Sequence, residues 1–78
     1  NPAAGELNIT YVLPETANVS ISLMDINGRQ IGNMLNTQRQ LEGVHTLTYN
    51  VSDLPNGFYF YTLRTEKVNI TKRKEVSH

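Results

Sequence analysis

The chain has 78 residues, no cysteine, and seven basic residues balanced by seven acidic ones. That length makes one domain and leaves no room for two cores, and a domain this short buries only about 60% of the surface its unfolded chain exposes. Lack of cysteine excludes a disulfide framework, thiol chemistry and thiolate metal sites. Charge balance excludes the long-range field that draws a protein to nucleic acid or an anionic membrane.

No stretch approaches the roughly 18 apolar residues needed to cross a bilayer as a helix. The opening Asn1-Pro2-Ala3-Ala4-Gly5 has neither a basic region nor an apolar run, so it is not a signal peptide. Such an abrupt start reads as a fragment of a longer protein.

Two-residue alternation dominates the chain, which is the period of a half-buried strand. Leu7, Ile9, Tyr11 and Leu13 share one face, with Glu6, Asn8 and Thr10 on the other, and Pro14 ends the run. Val19, Ile21 and Leu23 alternate with Asn18, Ser20 and Ser22. Asn27-Gly28 follows, a pair that tolerates positive φ and predicts a tight hairpin. The return strand, about 29–36, is less regular, and Gly32 within it predicts a bulge or a close backbone approach. Residues 37–43 read as a connection, with Leu41 dipping into the core. Val44 to Val51 resumes alternation, with His45, Leu47 and Tyr49 in phase. The run 52–57, Ser-Asp-Leu-Pro-Asn-Gly, is dense in turn formers, and Leu54 is placed to plug the end of the core. Phe58 to Arg64 is the most β-prone segment, with Tyr59, Tyr61 and Leu63 on one side. Glu66-Lys67 turns the chain into a last strand that begins at Val68 and Ile70 and runs into Lys72-Arg73-Lys74-Glu75.

No segment has a 3.6-residue period. Short strands separated by turn signals predict an all-β fold, an immunoglobulin-like antiparallel sandwich of six to seven strands. Leu7, Ile9, Tyr11, Val19, Ile21, Leu23, Leu47, Tyr49, Tyr59, Tyr61 and Leu63 supply most of the expected core.

Little here supports chemistry. Asp25-x-Asn27-Gly28 echoes a calcium loop, but Met34 stands where the bidentate glutamate belongs, so a hairpin turn is the better reading. His45, the one interior histidine, is in phase with core residues and is expected at the core margin with a backbone partner. Nothing groups it with a nucleophile and an orienting acid. No catalytic residue, metal ligand or cofactor is implied. Phe58 and Phe60 lie opposite the tyrosines; cover by the second sheet or by a parent domain is the preferred reading, an exposed apolar strip for a partner the alternative. Asn-x-Ser/Thr sequons at Asn8, Asn18, Asn50 and Asn69 are what alternating asparagine- and threonine-rich strands produce by chance. Lys72-Arg73-Lys74 by itself is a solvated, aggregation-guarding strand end.

The motifs taken together resemble a known family. Asn1-Pro2-Ala3 precedes Leu7-x-Ile9-x-Tyr11-x-Leu13. Then come Val19-x-Ile21-x-Leu23-x-Asp25-x-Asn27-Gly28-Arg29, Gly43-x-His45-x-Leu47-x-Tyr49, and Leu54-Pro55-x-Gly57-x-Tyr59-x-Tyr61-x-Leu63. Their order is similar to the type A C-terminal sorting domain of type IX secretion substrates. Asn27, Gly28, Leu54, Gly57, Tyr59 and Tyr61 match its structural motifs. The resemblance implies a non-catalytic address label, a single domain over residues 1–78, covalently part of a larger cargo protein of a diderm bacterium. It implies passage through the periplasm to the cell surface or medium. It further implies an outer-membrane translocon and a surface sorting protease as partners, with no nucleic acid and no direct membrane insertion. By the same resemblance, Lys72, Arg73, Lys74 and Val76 are the candidates for recognition. The tail departs from the family's usual apolar ending: Lys74-Glu75 stand where apolar residues are common, and His78 replaces the closing lysine. An immunoglobulin- or fibronectin-like accessory module, spacer or carbohydrate binder, is the alternative that fold alone does not separate.

Overall fold

The computed structural model describes residues 5–78. Those residues form six strands: β1 Glu6–Leu13, β2 Ala17–Met24, β3 Gln30–Gln40, β4 Gly43–Asn50, β5 Gly57–Arg64 and β6 Asn69–Val76. They make two antiparallel sheets, a narrow one of order β1-β4 and a wide one of order β3-β2-β5-β6. The chain crosses between sheets after β1, β3 and β4, and only β2-β3 and β5-β6 are simple hairpins. This is the expected immunoglobulin-like sandwich, built because alternate side chains on each strand are apolar and need a facing sheet.

The core lies between the sheets. Val19, Ile21 and Leu23 of the central strand β2 meet Leu7, Ile9 and Leu13 of β1 and Tyr59, Tyr61 and Leu63 of β5 in one buried cluster. Ala17, Met34, Val51 and Val76 complete it. Tyr11, Leu47 and Tyr49, expected as core, are half-buried and pack against the cluster's margin. Both strands of the narrow sheet are edges, so some of its inward side chains border solvent.

Two further expectations are corrected. Leu41 does not dip into the core; it is 73% exposed in the short β3-β4 connection, where no opposite sheet covers it. The return strand does not stop near residue 36 but runs to Gln40. Its polar sequence reflects its place at a sheet edge, where one rim and most side chains face water. Register shifts interrupt the β2-β3 ladder, one of them between Leu23 and Met24, opposite Gly32 and Gln30. Gly32 therefore sits at a bulge, and a Cβ there would lie 2.5 Å from the Tyr49 hydroxyl of the opposite sheet. Both readings of this glycine hold at once.

The β2-β3 hairpin forms where Asn27-Gly28 predicts it, with different geometry. Gly28 has φ 82, but no non-glycine residue among those described has positive φ. The Gly28 amide donates to the Asp25 carbonyl at 3.0 Å, closing a four-residue turn that ends in the left-handed glycine. Asp25 holds the loop through Oδ1, which accepts from the Asn27 amide at 2.9 Å and the Arg29 amide at 3.0 Å.

Candidate functional site: the C-terminal strand and its support

Strand β6 is the outer strand of the wide sheet, paired along its whole length with β5 and free on its other side. Its register sorts its side chains. Ile70, Lys72, Lys74 and Val76 stand opposite Leu63, Tyr61, Tyr59 and Gly57, on the face turned toward the other sheet. Arg73 and Glu75 stand opposite Phe60 and Phe58 on the outer face. The basic run is thus divided between two faces, as period-two alternation requires.

Each member has distinct surroundings. Val76 is 1% exposed and belongs to the core cluster. Lys74 is half-buried beside Tyr59, while Lys72 is exposed. The Arg73 guanidinium lies 4.6 Å from the centroid of the Phe58 ring. Phe60 is half-buried and Phe58 is 44% exposed, so the second sheet does not cover Phe58; the Arg73 guanidinium is stacked on it. An arginine over an aromatic face gains about 0.5–1 kcal/mol at an exposed site. Thr62 and Thr71 join their hydroxyls at 2.9 Å across the same two strands.

The Leu54-Pro55-x-Gly57-x-Tyr59 motif supports β6 from below. Leu54 packs against the core cluster, as expected. Its amide donates to the Val51 carbonyl at 3.0 Å, bending the chain out of β4. Gly57 opens β5 with φ 150. The Tyr59 hydroxyl donates back to the Pro55 carbonyl at 2.6 Å. A buried tyrosine at a strand start whose hydroxyl bonds the chain a few residues upstream is the tyrosine corner of immunoglobulin-like sandwiches. The motif therefore has a mechanical reading: it fixes the angle at which the chain enters β5. His78 ties the tail to this corner. Its amide donates to Asn56 Oδ1 at 2.9 Å, and its Nε2 lies 2.7 Å from the Leu54 carbonyl oxygen. In the sequence His78 stands only as a departure from the family's closing lysine; a ring able to reach a turn carbonyl leaves no periodic signal.

Elsewhere the candidate chemical groups are occupied structurally. His45 stacks on Tyr11 with ring centroids 5.5 Å apart, and its Nε2 lies 2.7 Å from the Leu41 carbonyl oxygen. Tyr11 in turn donates to Gln40. Partial burial of the Tyr11 phenol pushes its pKa up, against the hydrogen bond to Gln40, and burial does the same at Tyr61. Asp25 is held below the ordinary aspartate range, chiefly by the Arg29 amide, then by the Asn27 amide and the Arg29 charge. Among the described residues, no three His, Asp or Glu side chains are grouped to hold a metal ion.

Comparison with known proteins accords with this arrangement. No curated protein sequence and no solved structure matches the chain. A family model described as the secretion system C-terminal sorting domain matches residues 1–76. That family directs proteins out of the cell by type IX secretion and is generally non-catalytic. The match spans all six strands and all but the last two residues of the chain, and on it the chain belongs to the C-terminal sorting domain family of the type IX secretion system.

Proposed function

We propose that this domain is the terminal, non-enzymatic part of a larger cargo protein and is read by an outer-membrane translocon through β6. The cargo reaches the translocon from the periplasm, and a surface protease acts on it after export. Lys72, Arg73 and Lys74 are the groups read; Val76, buried in the core, holds the strand in place. The observation that carries this reading is an outer strand that bears the basic run and has one unpaired rim, in a chain of the sorting family. Lysine and arginine there offer charge-assisted hydrogen bonds, and a free strand rim offers backbone pairing, two things a protein receptor can read.

The test fuses residues 1–78 to a periplasmic reporter in a host with the secretion system. The wild-type fusion is expected at the surface or in the medium. The triple substitution Lys72→Ala, Arg73→Ala, Lys74→Ala is expected to keep the folded domain, shown by circular dichroism, and to retain the reporter inside. Export of the folded triple variant at the wild-type level would refute the assignment of these residues.

A further inference from the structure

The two sheets are unequal, two strands against four. At about 4.8 Å per strand, roughly 10 Å of the wide sheet's inner face lies beyond the narrow one. At the end of that strip nearest the β1-β2 and β5-β6 turns lies a groove of about 440 Å³. Its floor is Tyr61 and Leu63 of β5 with Ile70 and Lys72 of β6, and one wall is the end of β1 at Tyr11–Leu13. Of the large apolar side chains left in solvent, Val12 at 67%, Val68 and Ile70 all border it.

The wall is a strand rim without a neighbour. The Val51 amide donates to the Gly5 carbonyl at 2.9 Å, which makes Gly5 and Val51 a hydrogen-bonded pair. Antiparallel alternation from that pair turns the N–H and C=O of Leu7, Ile9, Tyr11 and Leu13 toward β4. The backbone groups of Asn8, Thr10 and Val12 then point away from β4 along one free rim, of which Val12 lines the groove. Charge in the groove is also incomplete. Lys67 Nζ pairs with Glu15 Oε2 at 2.8 Å, and Glu66 accepts from the amide and side chain of Asn18. Lys72 has no ion pair among the described residues.

We infer that the groove receives an extended peptide segment of the secretion machinery. It adds as a third strand to the free rim of β1, sets alternate apolar side chains on Tyr61, Leu63 and Ile70, and places an acidic group against Lys72. This deepens the sorting reading and rests on it: recognition then takes place in the gap between the sheets, with Lys72 as its charged element. Strand addition supplies affinity through the backbone and selectivity through alternate side chains.

The test uses the whole 78-residue chain and two probes. One is a seven-residue peptide of alternating valine and threonine with a central aspartate; the other has lysine in place of the aspartate. The aspartate peptide is expected to slow amide exchange of Thr10 and Val12 by about tenfold or more, and the lysine peptide not to. Lys72→Glu reverses that preference. Val12→Pro removes one outward-facing donor without touching the ladder to β4, a place where a strand tolerates proline. It should melt close to wild type yet lose the protection, and the corresponding reporter fusion should lose export. The inference is overturned if the aspartate peptide gives no protection. It is equally overturned if folded Val12→Pro and Lys72→Glu fusions are exported like wild type. Protection that appears on raising the domain's own concentration, without peptide, overturns it in favour of a second copy. Failure of the wild-type fusion to be exported strikes the sorting reading instead, and the peptide measurement then decides the groove alone.

Discussion

Asp25 does the work of a turn with one carboxylate. It accepts two backbone amides and faces the Arg29 guanidinium, with Nε 3.4 Å from Oδ2. These contacts are stronger for the ionised form, which is why its pKa lies below the ordinary aspartate value. A depressed folded-state pKa means stability that is fully present above about pH 4 and lost as pH falls through the folded value. Asp25→Ala is therefore expected to lower Tm at pH 7, with the gap to wild type closing as melts are run toward pH 3. Asp25→Asn keeps an acceptor without the charge, and its melts should show a flatter pH profile than wild type. A gap of constant size across that range would show that the carboxylate's charge is irrelevant to the turn. Gly32 makes a second case at the same scale. Its missing Cβ is the space the Tyr49 hydroxyl occupies, whereas the ring carbon bearing that hydroxyl is 3.5 Å from the same point, an ordinary contact. Gly32→Ala should then destabilise by about 1–3 kcal/mol through overpacking. Adding Tyr49→Phe should recover most of that loss, as a double-mutant cycle in urea would reveal.

At the scale of the strand, residues in one basic-apolar run have separable roles. Val76 and Arg73 are three positions apart in β6 but face opposite ways, one into the core and one onto Phe58. Val76→Ala removes two buried methyl equivalents and should cost about 2 kcal/mol, including the cavity. Arg73→Ala should cost under about 1 kcal/mol. Urea midpoints of the two variants would check the ranking; equal losses would mean that the stacking on Phe58 is structural in its own right. The same strand shows what was legible in the sequence. The inward set Tyr59, Tyr61 and Leu63 followed from alternation, because β5 lies over a packed face. The far half of β3 did not. Between Asn36 and Gln40 both faces are polar, so hydrophobic period carries no signal there, and only pairing with β2 makes it a strand. Leu41 misled for the converse reason: an apolar residue at a turn apex is apolar wherever its side chain points.

The whole molecule is held together by distant pairings, and this bears on what a sorting signal is. The first strand of the narrow sheet pairs with β4 across the intervening hairpin, and Glu6 stands opposite Asn50. Sheet order was invisible in the sequence, since alternation says which side chains point inward but not which strands are neighbours. The asymmetric two-over-four packing, and with it the groove, follows from that order alone. In so thin a sandwich the last strand is also a structural wall. Removing residues 69–78 would take Val76 from the core, uncover the rim of β5, and free the corner that His78 ties to Leu54 and Asn56. A domain of this size has a stability of only about 5 kcal/mol. The truncated chain is expected to be unfolded, with amide signals collapsed in NMR and cleavage by a nonspecific protease many times faster than in the intact domain. Export of a reporter fused to it should fail for that reason alone. Loss of export on truncation thus cannot assign recognition to the tail; only substitutions that leave the sandwich folded, at Lys72, Arg73 and Lys74 or at the β1 rim, separate the label from the fold that displays it. A truncated domain that stayed folded and protease-resistant would show instead that β6 is dispensable to the core, and the tail's part in export could then be read from truncation directly.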